Sequence, residues 1–310
     1  MQKKLIALCA LAALPAAAQA GSLYTFESGT DGFHTKTHFY DTGAEVVAFD
    51  AQFTPGAAEA ALRFLREKTT SPLKYLVITH PNPDKFNGAP VFRAAGATVI
   101  ASERTARAMP AVHAYKQNFF ENVARMFPAG TYPALAGVDK TFGETLELAG
   151  GLVKLRELSQ PGVSGNQTIA FLPAENAVVV GDLVHGKAHA WLEGGIVNGG
   201  PKPSLAGWIA DLAELKNLPG LISETLVFGG RGEVLPLAVA VEDQVSYLKA
   251  ADEIVAKYVA SLPDAAAELG GTGAGAHFQA IEKELAARFP GYSLSYLVQY
   301  GVYGLALQKL

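Results

Sequence analysis

Cysteine is almost absent from this 310-residue chain, and its one occurrence, Cys9, falls in a segment marked for removal. Lys3 and Lys4 precede an apolar run, Leu5 to Leu14, too short to span a bilayer. Ala18-Gln19-Ala20 then supplies a small-x-small cleavage pattern before Gly21. Residues 1–20 therefore read as a secretory signal peptide cut after Ala20, which makes the mature chain periplasmic or secreted. Without cysteine, that chain has no disulfides, no thiolate metal ligands and no cysteine nucleophile. Long apolar runs are also missing beyond the leader, so no transmembrane segment is expected. Excess positive charge is missing too. Loss of Lys3 and Lys4 takes the formal charge from −4 to −6, which speaks against nucleic acid and anionic membrane surfaces as partners.

What is present alternates between two periodicities. Residues 33–40 (FHTKTHFY) have period two, with Phe33, Thr35, Thr37 and Phe39 on one face and His34, Lys36, His38 and Tyr40 on the other. His34 and His38 read as a solvated strand edge. Strands are expected at 44–50, at 73–79 and at 97–102, with a helix at 55–68 and a mostly helical stretch at 105–126. A second strand-rich block runs from 140 to 182, followed by a helix at 204–218 and a strand ending in Gly229-Gly230-Arg231-Gly232. From Pro236 the pattern is helical, and the glycine-rich 269–277 reads as a flexible link. Tyr292, Tyr296, Tyr300 and Tyr303 are spaced for one helical face. The order predicts an α/β chain of two packed sheets with helices outside.

Chemistry concentrates where strands break into loops. His80-Pro81-Asn82-Pro83-Asp84-Lys85 follows the apolar strand 73–79, Asp182 ends residues 177–182 (AVVVGD), and Arg231 closes a third strand. In order and spacing these loops resemble the metallo-β-lactamase-fold superfamily of metallohydrolases. Residues 79–89 (THPNPDKFNGA) stand where that family has T-H-x-H-x-D-H-x-G. Residues 158–173 and Gly181-Asp182 stand at its G-H-T/S and G-D blocks, and 226–232 at its P-G-H-G. The resemblance implies an αββα four-layer sandwich over 21–235 with a helical C-terminal region, 236–310, packed on or appended to it.

Carried over position by position, the resemblance gives a first metal site of His80, Asn82 and Val163. The second becomes Asp84, Lys85 and Arg231, with Asp182 bridging. Zinc takes neutral imidazole, thiolate or carboxylate donors. Valine has none, and a guanidinium repels a dication. The implied di-zinc centre is degenerate, so β-lactamase activity is not expected. His80, Asp84, Lys85, Asp182 and Arg231 are the candidate catalytic residues, with Asn82, His185 and His189 for substrate binding. His189 matches the family's pocket-lining His-aromatic stretch better than His185. Lys85 and Arg231 can neutralise Asp84 and Asp182, either as an internal ion-pair network or as a pocket for an anion or carbonyl.

Three functions follow. One is a metal-independent binding protein or atypical enzyme for a small anionic or carbonyl ligand. Another is a mono-metal hydrolase of ester, lactone or amide substrates that uses His80, Asp84 and Asp182 with one zinc, manganese or iron ion. The third is a non-catalytic scaffold whose C-terminal helices offer a surface to a protein partner.

Overall fold

The computed structural model describes residues 21–310, so the expected signal peptide, residues 1–20 with Cys9, lies outside the described residues. The chain opens with β1 (Ser22–Glu27), β2 (Lys36–Asp41), β3 (Val46–Phe49), α1 (Pro55–Lys68), β4 (Leu73–Ile78), α2 (Pro83–Phe86), α3 (Ala89–Ala94), β5 (Thr98–Ser102), α4 (Glu103–Asn118) and β6 (Lys140–Phe142). Its second half holds β7 (Thr145–Leu148), β8 (Val153–Glu157), β9 (Thr168–Leu172), β10 (Ala177–Gly186), β11 (Gly195–Val197), β12 (Gly200–Lys202), α5 (Leu205–Lys216), β13 (Leu226–Gly232) and β14 (Leu235–Pro236). It closes with α6 (Leu237–Ala260), α7 (Ala265–Gly270), α8 (Ala274–Arg288) and α9 (Leu297–Leu307).

Two six-stranded sheets form, in the orders β1-β2-β3-β4-β5-β6 and β14-β13-β10-β9-β8-β7. Strand alternation decides how they stack. Tyr40, Val47, Phe49, Val77 and Ile100 face the second sheet and meet Leu155, Ala170, Leu172 and Val179. Their neighbours Phe39, Val46, Ala48, Leu76 and Ile78 face outward onto α1 and α3. Both faces of the central strands are thus buried, which is why β4, past the exposed Lys74, ends in the apolar run Leu76-Val77-Ile78. Helix α1 begins where Thr54 caps the Ala57 N–H ahead of Pro55, and it buries Ala57, Ala58, Ala61 and Leu65. On the other side α5, α6, α8 and α9 share one core with β10 and β13. The result is a four-layer αββα sandwich, with the C-terminal helices contributing to its outer layer.

Three expectations change. His38 is buried between the sheets, its Nε2 2.9 Å from the Gly229 carbonyl and its Nδ1 2.9 Å from Thr25 Oγ1. Only His34, paired with Glu27, sits near solvent. The glycine-rich stretch is a short turn between α7 and α8, anchored by the buried Leu269, because helix resumes at Ala274. The tyrosines do not share a helix: α9 starts after Tyr296, with Leu294 at a φ of 62°. Tyr292 instead packs on His189 and Tyr247. Among the described residues no helix is long and apolar enough to cross a membrane.

Candidate functional site

The site lies at the ends of β3 and β4 and along β10 and β13. Asp50 follows β3 with a φ of 65° and accepts from the Thr79 N–H and Oγ1–H, both at 2.9 Å. Thr79 Oγ1 lies 3.1 Å from His80 Nδ1. With Asp50 ionised the threonine proton is committed to it, an arrangement that favours the hydrogen on His80 Nδ1 and the lone pair on Nε2. That Nε2 is buried, has no hydrogen-bond partner among the described residues, and lies 3.7 Å from Asp182 Oδ2. Burial takes the His80 imidazole down to about 4, more than Asp182 restores, so it is neutral at pH 7.

Four charges meet beside it. Lys85 Nζ is 2.7 Å from Asp84 Oδ2 and 2.7 Å from Asp182 Oδ1. Arg231 Nη1 donates to Asp182 Oδ2 at 2.7 Å, and Nη2 to Asp84 Oδ2 at 3.0 Å. Its Nε donates to the Phe33 carbonyl at 2.8 Å, while Thr35 Oγ1 donates to Asp84 Oδ2 at 3.0 Å. Burial opposes every charge here, yet mutual attraction prevails. Lys85 and Arg231 hold Asp84 below the usual carboxylate range and Asp182 well below it, and the carboxylates raise both cations. For Asp50 burial outweighs the pull of Lys85 and of the Thr79 N–H, and pushes it up to about 7. Glycine makes the approach feasible: a Cβ at Gly230 would sit 1.9 Å from Asp182 Oδ1.

Over this quartet lies a cavity of about 20 Å³, room for roughly one water. Asn82, Asp84, Asp182 and Arg231 line one side; Phe33, Phe53, Phe120 and Trp191 form aromatic walls. Lys116 also reaches it, its ammonium 4.9 Å from the Trp191 ring centroid and paired with Glu193. Trp191 Nε1 donates to Glu193 Oε2 at 2.9 Å, and the Tyr303 hydroxyl donates to the same carboxylate. Tyr300 stacks on the Trp191 ring.

The family model of the metallo-beta-lactamase superfamily matches residues 31–230. The chain belongs to the metallo-β-lactamase superfamily. No curated protein is similar enough in sequence to match. Among solved structures of that fold, a metallo-beta-lactamase from Pontibacter korlensis is 19% identical, with a TM-score of 0.54 over 75% of this chain and 96% of that one. DIM-1 metallo-beta-lactamase is 16% identical, with a TM-score of 0.54 over 76% and 99%. TMB-1 is 14% identical, with a TM-score of 0.53 over 74% and 93%. At such identities the likeness shows the fold alone.

Placed on the superfamily fold, the sequence's candidates divide. His80, Asn82, Asp84, Lys85, Asp182 and Arg231 come together. Val163 is buried in the core of the second sheet, and Ser164 donates to Asn82 Oδ1 at 3.2 Å. As metal donors the set fits poorly, because an ammonium stands between the two carboxylates. Among the described residues no three His, Cys, Asp or Glu side chains form a metal-holding group.

His185 and His189 are buried but do not line the chamber. His185 contacts the Trp208 ring, and neither of its ring nitrogens has a hydrogen-bond partner among the described residues; His189 faces Tyr247. The sequence reading missed Lys116 and Glu193. The signal was there: Thr105, Met109, Val112 and Lys116 form the buried stripe of α4, and a lysine in an apolar register needs a buried partner.

Proposed function

We propose that this chain is an exported, metal-independent member of the superfamily whose chamber binds a small molecule through a carbonyl or carboxylate group. The observation that carries the reading is the position of Lys85 Nζ, 2.7 Å from a carboxylate oxygen of each of Asp84 and Asp182. A side-chain cation there does the charge balancing that a bridging dication would do. With Arg231 the quartet is neutral, so a ligand meets oriented donors more than a bare positive field. Asn82, its Oδ1 taken by Ser164, keeps its amide N–H groups for a ligand oxygen. The aromatic walls suit the ligand's apolar part, and entry requires Phe120 or Trp191 to swing aside. His80, neutral and outside the chamber's lining, stands behind Asp182 with its Nε2 3.7 Å from Oδ2, where it can act on a ligand only through that carboxylate.

A mono-metal reading draws on that same His80 Nε2, which would join Asp84 and Asp182 as ligands once Lys85 is displaced. Elemental analysis of the chain from Gly21, after dialysis against zinc, manganese or iron, separates the two. The expected result is no stoichiometric metal, together with a rise in melting temperature from some member of a panel of small carboxylates, amides and lactones. That rise should be lost in Asn82→Ala. Stoichiometric metal abolished by His80→Ala would overturn the proposal. A panel with no effect would favour the non-catalytic scaffold.

A further inference from the structure

Gly21 immediately precedes β1 at the edge of the first sheet, but its nitrogen reaches across to the second. The N–H donates to Glu175 Oε1 at 2.6 Å, in the turn between β9 and β10. The other carboxylate oxygen, Oε2, is buried and has no partner among the described residues, and neither has the buried Tyr40 hydroxyl. Burial raises the pKa of that hydroxyl, with Glu175 adding to the effect, so it stays protonated. Space is as restrictive as charge. A Cβ at Gly21 would sit 2.4 Å from Tyr40 Cε2 and 2.7 Å from the Asp41 carbonyl oxygen, so glycine alone lets the backbone lie against this ring.

A peptide N–H brings one proton and no charge to a half-buried carboxylate that has a second oxygen waiting. An α-ammonium at the same nitrogen brings three protons and a positive charge. The bond to this nitrogen is also the one at which the Ala18-Gln19-Ala20 pattern ends. We infer that Glu175 and Tyr40 form a receptor for the free α-amino group of Gly21, and that removal of residues 1–20 completes a contact joining the two sheets. In the step that generates it, a leader peptidase adds water across the Ala20–Gly21 bond. Ala20 leaves as a carboxylate, and the Gly21 amine takes up a proton. The inference rests on the export reading proposed above.

The test compares protein starting at Gly21 with protein starting at Ala20, each with Glu175 and with Glu175→Gln, alongside the mass of the chain recovered after export. The exported chain should begin at Gly21. At pH 7 the Gly21-start protein should melt about 2–4 °C above the Ala20-start protein, the shift expected of one such contact in a chain of this size. An α-amine paired with a carboxylate titrates above its ordinary value of about 7.7–8.0. The advantage should therefore be full below that value and vanish as pH rises through the higher folded one. It should be absent in Glu175→Gln. Equal melting temperatures at pH 7, a difference that survives Glu175→Gln, or a mature chain that begins elsewhere would overturn the inference. An unprocessed exported chain would overturn the export reading, while the comparison of purified proteins would still decide whether the receptor works.

Discussion

Replacing Lys85 by methionine removes one cation from a buried quartet while keeping the length of the side chain. Lys85 is fully buried and touches two carboxylates at 2.7 Å, so its loss leaves Asp84 and Asp182 sharing only Arg231. Two like charges about 4 Å apart repel by about 4 kcal/mol at an effective dielectric of about 20. Breaking a buried pair from one side costs about 3–5 kcal/mol. For a chain of this size that is a fall in melting temperature of about 6–20 °C. Asp84 and Asp182 have lowered pKa values in the native chain, so their stabilising contribution holds above about 3.9 and is lost as pH falls through the folded values. In Lys85→Met one carboxylate titrates upward instead. The deficit should be full at pH 7.5 and smaller at pH 4.5, read by circular-dichroism melts at both. Adding Asp84→Asn removes the stranded charge and should recover at least half of the loss. A single variant that melts within about 2 °C of the parent at pH 7.5 would refute the reasoning.

Other perturbations probe neighbouring features. His185 is held neutral, with burial taking its pKa down to about 3, so the unfolded chain gains a proton below about 6.5 that the folded chain refuses. His185→Phe should therefore raise the urea midpoint more at pH 5 than at pH 7.5. Tyr300→Ala strips the ring stacked on Trp191 and should increase acrylamide quenching of tryptophan fluorescence, since Trp208 stays buried. In Gly301→Ala a methyl would meet the Leu192 nitrogen at 2.7 Å. Overpacking of that kind costs about 1–3 kcal/mol, so a thermal melt should show destabilisation despite alanine's better helix propensity.

The fold was legible because its first strands alternate, its central strands are apolar and its loops keep their order. Residues 73–78 declare a buried strand by composition alone, and His80, Asp84, Asp182 and Arg231 could be placed from the strands preceding them. Alternation also put His38 and Tyr40 on one face, but a period of two names the face without saying what lies against it. The second sheet does, and His38 is buried. The tyrosine spacing failed at Leu294, whose left-handed φ keeps Tyr292 off the axis of α9. Residues 269–277 misled because glycine content marks permissive backbone, and here Leu269 pins that backbone into a turn. The Lys116–Glu193 pair joins segments 77 residues apart, which no local pattern connects.

The quartet draws its members from far along the chain: 97 residues separate Lys85 from Asp182, and 147 separate Asp84 from Arg231. Contacts closing such long loops form late, after the sheets that carry them have paired. Bonds missing from the folding transition state leave the rate of folding nearly untouched and act on the rate of escape. The cluster is then expected to work as a latch, setting how long the molecule stays folded once formed.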